Sequence, residues 1–156
     1  MNQLFFGADI GGTAIKTGLF DKNAGVISVS EISTVREENG TRILSDLARE
    51  MDRMISDNFL SHDDVKAAGL GVPGPVDPSG IIHKAVNLGW GVFNLAEKMS
   101  AICGFPCFAL NDANAAVLGE AWAGSAKGCS DVLFVTLGTG VGGGIISGGR
   151  LVTGAN

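Results

Sequence analysis

Asp9-Ile10-Gly11-Gly12-Thr13-Ala14-Ile15-Lys16 is the stretch whose reading decides the fold. It breaks an apolar run, Leu4 to Ile10, that resumes from Ala14 to Phe20, and two short runs around a glycine turn read as paired strands. Two adjacent glycines let backbone N–H groups approach phosphate oxygens, Thr13 adds a hydroxyl and Lys16 a point charge. The turn is not a Walker A loop, because the Gly before Lys-Ser/Thr and its spacing are both missing. An ordinary hairpin with glycine in the turn remains the alternative.

Outward from this turn, Val26 to Ile32 alternates apolar residues with Ser or Glu and reads as a third strand. Ile43, Leu44, Leu47, Ala48, Met51, Met54, Ile55 and Phe59 then recur at three- and four-residue spacing, which predicts an amphipathic helix. Val65 to Val72 is a buried-type strand ending at Pro73-Gly74-Pro75, and a loop rich in Gly, Pro and Asn runs on to about Val92. Asn94 to Ile102 reads as a helix stopped by Gly104 and Pro106, Cys107 to Leu110 as a strand, and Ala113 to Ala123 as an alanine-rich helix. Three strands, helix, strand, helix, strand, helix is the order of an α/β sheet with an antiparallel edge.

After Gly124 the pattern restarts. Leu133-Phe134-Val135 leads into Gly138-Thr139-Gly140 as Leu4-Phe5-Phe6 leads into Gly11-Gly12-Thr13, which suggests a duplicated strand, glycine turn, strand unit. The turn is read as Gly138 to Gly144, with Ile145-Ile146 resuming the strand. Gly138-Thr139-Gly140-Val141-Gly142-Gly143 also satisfies GxGxxG, so a dinucleotide-binding domain has to be weighed. That fold opens a helix at the third glycine, and Gly144-Ile145-Ile146-Ser147-Gly148-Gly149 favours a strand.

Composition narrows the partners. Of the 156 residues 46% are hydrophobic and 17% charged, enough for a core and too apolar for a disordered chain. A net charge of −5 disfavours nucleic acid, no run approaches the ~18 apolar residues of a membrane span, and Met1 to Phe6 has no basic signal region; the expectation is a cytoplasmic protein. Cys103, Cys107 and Cys129 read as buried reduced thiols, and His62 and His83 have no partner at metal-ligand or triad spacing. The 24 glycines cluster at 11–12, 69–80 and 138–149, where loops need positive φ or close approach to a ligand.

Two further constellations could carry chemistry. Asn111-Asp112-Ala113-Asn114 sits where a strand becomes a helix; helix capping alone would select these residues, yet they could also hydrogen-bond sugar hydroxyls, the Asp carboxylate accepting a hydroxyl proton. Gly71-Val72-Pro73-Gly74-Pro75-Val76-Asp77-Pro78 closes a strand at the same sheet edge, where open α/β sheets bind ligands, or is a plain connection.

Together, Asp9 to Lys16, Gly71 to Asp77, Asn87-Leu88-Gly89-Trp90, Asn111 to Ala116 with Gly119-Glu120, and Leu137 to Gly144 resemble the ROK (repressor, open reading frame, kinase) family, whose commonest type is bacterial glucokinase. The resemblance implies an actin-like (ribonuclease H-like) ATPase lobe: a mixed sheet with antiparallel edge strands and flanking helices over 1–124, followed by the first strands of a second lobe over 131–156. It implies ATP-dependent phosphorylation of a hexose, with glucose the first candidate, and a homo-oligomer without nucleic-acid or membrane partners. By it, Asp9 lies near Mg2+, and Gly11, Gly12, Thr13, Lys16, Gly138, Thr139 and Gly140 hold ATP phosphates. Asn111, Asp112, Gly74, Pro75 and Asn87 face the sugar, with Asp112 as catalytic base. Family members continue with a Glu, a Gly-His pair, a cysteine-rich zinc motif and the adenine pocket, none of which is in this chain; Cys103, Cys107 and Cys129 do not match the zinc pattern. The fragment alone is therefore expected to be inactive. Repressors of the family carry a winged helix-turn-helix ahead of the first turn, which here begins at residue 9. A non-catalytic sugar-sensing module is the remaining alternative.

Overall fold

A computed structural model describes residues 3–138 and 140–153. Strands β1 (Leu4–Ile10), β2 (Ala14–Asp21) and β3 (Val26–Ser33) form an antiparallel meander around the first glycine turn. A four-residue turn, α1 (Glu37–Gly40), leads to the long helix α2 (Ile43–Asp57). Strand β4 (Val65–Val72) lies parallel to β1 on its other side. A small ribbon follows, β5 (Ile81–Ile82) with β6 (Phe93–Asn94), then α3 (Leu95–Cys103), β7 (Cys107–Asn111) and α4 (Asp112–Ala123). The sheet order is β3-β2-β1-β4-β7, antiparallel at one edge and parallel at the other. A separate sheet, β10-β9-β8, is built from β8 (Val132–Leu137), β9 (Val141–Ser147) and β10 (Arg150–Leu151).

Period-two burial assigns the faces. Leu4, Phe6, Ala8 and Ile10 of β1 are buried with Ile15 and Leu19 of β2 and Ala68, Leu70 and Val72 of β4. They form one core with the apolar stripe of α2 (Ile43, Leu47, Met51, Met54) and with Leu95 and Met99 of α3. The opposite face carries two rows across the strands: Val29, Gly18, Gly7, Gly69 and Phe108, then Glu31, Lys16, Asp9, Gly71 and Leu110. Helix α4 crosses this second face, and a Cβ on Gly71 would meet Ala115 Cβ at 3.6 Å and Asp112 Cα at 3.6 Å.

Helix starts follow local chemistry. Asn94 Oδ1 accepts the Glu97 N–H at 3.0 Å and caps α3, which Gly104 ends at φ +77°. Asn111 Oδ1 accepts the N–H groups of Ala113 and Asn114 at 3.0 and 3.3 Å and caps α4. Three sequence expectations change. Strand β9 begins at Val141, so Gly142, Gly143 and Gly144 are strand residues and the turn is confined to 138–140. Cys129 is exposed, whereas Cys103 and Cys107 are buried. The loop after Pro75 contains the β5–β6 ribbon.

Candidate active site

The C-terminal ends of β1, β4 and β7 meet the N-terminus of α4, so the polar residues of this edge come from four segments. Asp9, Lys16 and Asp112 line one cleft of about 970 Å³ with Gly71, Ala113 and Thr136. Asp9 pairs with Lys16 across β1 and β2, and Lys16 with Glu31 across β2 and β3, so charge alternates along the row. Desolvation by the cleft walls raises the Asp9 carboxyl above the usual range, the nearby Asp112 carboxylate adds to the rise, and Lys16 opposes it.

The first glycine turn is narrow. Gly11 N–H donates to Ala14 O at 3.0 Å, and a Cβ on Gly11 would come within 2.9 Å of that oxygen. Neither Gly11 nor Gly12 has positive φ, so close approach is what requires glycine here. Thr34 braces the turn from outside: its hydroxyl donates to Gly11 O at 2.7 Å, and its N–H to Thr13 O at 2.9 Å.

Asn111 does structural work as well as presenting an amide. Its Oδ1 is the α4 cap, and its Nδ2 donates to Gly74 O at 3.3 Å, tethering the Gly74-Pro75 turn to the end of β7. Its second amide hydrogen has no partner among the described residues. Asp112, the first residue of α4, accepts the Ala113 N–H on Oδ1 at 2.8 Å and keeps its second oxygen for the cleft. Asn87 is exposed on a 3-10 turn, with its carbonyl against Gly12.

The second glycine turn closes a hairpin in which Leu137 pairs with Val141 and Gly138 N–H donates to Gly140 O at 2.9 Å. The expectation for Thr139 lies outside the described residues. Gly142 and Gly144 lie against α4: a Cβ on Gly142 would sit 3.4 Å from Ala113 Cβ, and one on Gly144 would come within 2.7 Å of Ala113 O. A strand, not a helix, follows the GxGxxG match, which removes the dinucleotide reading.

The structure therefore joins Asp9, Lys16 and Asp112 in the cleft, Asn111 to Gly74, and Gly12 to Asn87. Gly11, Gly12, Thr13, Gly74, Pro75, Asn87, Asn111, Gly138 and Gly140 do not line that cleft. Glu31 and Thr34 were missed by the sequence reading; strand register places the first, and a bond across 23 positions defines the second. Among the described residues no cluster of three His, Cys, Asp or Glu is placed to hold a metal. The hard oxygens of the Asp9 carboxyl, at the cleft wall, fit Mg2+, which uses one or two carboxylates and completes its shell with water and phosphate. No helix among the described residues is long and apolar enough to cross a membrane.

Comparison with known proteins agrees with this architecture. A glucokinase of Halalkalibacterium halodurans is 38% identical over 156 residues, which take in 99% of this chain and 47% of that protein. A beta-glucoside kinase of Listeria monocytogenes is 37% identical over 94% of this chain and 47% of its own length. The crystal structure of a ROK family glucokinase from Streptomyces griseus in complex with glucose and AMPPNP is 34% identical, with a TM-score of 0.80 over 97% of this chain and 47% of that one. The chain spans about half the length of the curated relatives it matches. The ROK family profile matches residues 5–156, and with the mixed sheet and both glycine hairpins in place, the chain belongs to the ROK family.

Proposed function

We propose that this chain supplies the first lobe, residues 1–124, and the opening strands of the second, 131–156, of an ATP-dependent hexose kinase. The observation that carries the reading is the convergence of Asp9, Lys16 and Asp112 in one cleft beside the two glycine hairpins. The two turns, Gly11-Gly12-Thr13 and Gly138-Thr139-Gly140, present backbone N–H groups to the phosphates of ATP, and Lys16 adds its charge. Asp9 would help hold Mg2+, and the ion, when bound, would neutralise charge on the transferring phosphoryl group.

Asn111, Asp112, the Gly74-Pro75 turn and Asn87 hold the hexose. The Asp112 carboxylate takes the proton of the attacking hydroxyl, that oxygen bonds to the γ-phosphorus, the bond to the β–γ bridging oxygen breaks, and ADP leaves. Such a transition state is loose, so holding donor and acceptor in line matters more than the strength of the base. Glucose is the first candidate, because two of the matched relatives are named glucokinase; glycolytic hexose phosphorylation in the cytoplasm, by a homo-oligomer, completes the proposal. The test is a coupled ADP assay on the protein extended to its relatives' length, with glucose, mannose, fructose, allose and N-acetylmannosamine. ADP released in step with one of these sugars supports the kinase. Sugar binding without ADP release favours the non-catalytic sensor.

A further inference from the structure

Three loops meet beside the first glycine turn, and their contacts form one chain. The Asn87 carbonyl lies against Gly12, where an added Cβ would come within 3.3 Å of it. The next carbonyl, of the buried Leu88, faces Gly40, where a Cβ would sit 2.5 Å from the oxygen. Gly89, at φ +73°, lies against Asn39, so a Cβ there would stand 3.0 Å from Asn39 Cα. The buried Trp90 then closes the circuit, its Nε1–H donating to Gly40 O at 3.2 Å.

What Trp90 holds is an uncommon backbone. Glu38 (φ 53°, ψ 40°), Asn39 (φ 58°, ψ 35°) and Gly40 (φ 66°) are three successive left-handed residues, two of which carry a Cβ. Such a turn persists only where its surroundings over-determine it. The surroundings here are the Trp90 N–H and the Leu88-Gly89 backbone. Trp90 is itself fixed by two backbone bonds with Ala85 at 3.1 Å and by the Phe93 ring edge-on at 5.4 Å.

We propose that Trp90 is a positioning residue for the proposed sugar-binding turn at Asn87: through Gly40 it locks α1 in its left-handed form, which presses the Asn87-Leu88 turn against Gly12 and sets where Asn87 stands. The inference rests on the reading of Asn87 as a sugar-side residue. Its test is steady-state kinetics on the protein extended to its relatives' length. Trp90→Phe keeps an aromatic ring in the core and removes the donor, together with part of the buried volume. The expected result is a rise of about tenfold in KM for the hexose, with KM for ATP and kcat within about twofold. Gly40→Ala, whose Cβ would meet the Leu88 carbonyl at 2.5 Å and Trp90 Nε1 at 3.0 Å, disturbs the same joint from the α1 side; it gives the same split and serves if Trp90→Phe does not fold. An unchanged sugar KM in either folded variant, or equal losses for sugar and ATP, overturns the proposal. Asn87→Ala separates the two readings: an unchanged sugar KM there removes the assignment of Asn87 and the positioning role with it.

Discussion

Asp9 shows how a single side chain can favour chemistry over stability. Its carboxyl is raised by desolvation and by Asp112, so the folded state binds its proton more tightly than the unfolded chain does. The sign follows: Asp9 costs nothing below its ordinary value of 3.8, and the fold loses stability as pH climbs from there through the raised value. Asp9→Asn is therefore expected to melt higher than the parent at pH 7, the two curves converging below about pH 3.8, as thermal denaturation across pH will measure. A mutant that melts lower at pH 7 would contradict this electrostatic account. At this scale Asp9, Lys16, Asn111 and Asp112 could be singled out as candidates from the sequence, because they stand in recognisable motifs. Their couplings could not be, since the Asn111 bond to Gly74 spans 37 positions and no local pattern encodes it.

Among the elements, the second hairpin taught most. An apolar run finds β8, but a glycine run carries no hydrophobic period, so residues 141–144 read as turn when they are strand. Packing explains the glycines: Ala113 and Val117 of α4 occupy the space where side chains on Gly142 and Gly144 would stand. Gly144→Ala would place its Cβ within 2.6 Å of Val117 Cγ1 and 2.7 Å of the Ala113 carbonyl, a backbone atom that cannot swing away. A loss of about 1–3 kcal/mol is expected, read as a lower urea midpoint at an unchanged m-value. Helix α2 was legible from Ile43 to Ile55 because its apolar stripe is long and regular, whereas Phe59, read as the end of the stripe, lies past the helix and is exposed; the parallel placement of β4 beside β1 follows from the crossover α2 provides.

For the molecule as a whole, both sheets keep a bare face. Leu133 (74% exposed), Leu137 (82%) and Val141 (78%) stand on the outer side of the second sheet, whose inner side packs on α4. Apolar residues this exposed on open-edged strands invite pairing with another chain. The 156-residue chain is accordingly expected to self-associate in light scattering, and a stable monomer at high concentration would refute that. It is also expected not to phosphorylate sugars, since the proposed site places ATP between two lobes and only the opening of the second is here; ADP formed stoichiometrically with a hexose would overturn the division.

The central claim is that Asp112 accepts the proton of the sugar hydroxyl. The most direct measurement is single-turnover phosphorylation of the hexose by the extended protein and by Asp112→Asn, with sugar affinity followed by titration. Asparagine keeps a side-chain oxygen for the Ala113 N–H and leaves the α4 cap, Asn111, untouched, so the fold is expected to stay intact. A fall in turnover of at least about 100-fold, at nearly unchanged sugar affinity, is the predicted result. A variant that keeps most of its turnover would contradict it and leave Asp112 as a helix-starting residue alone.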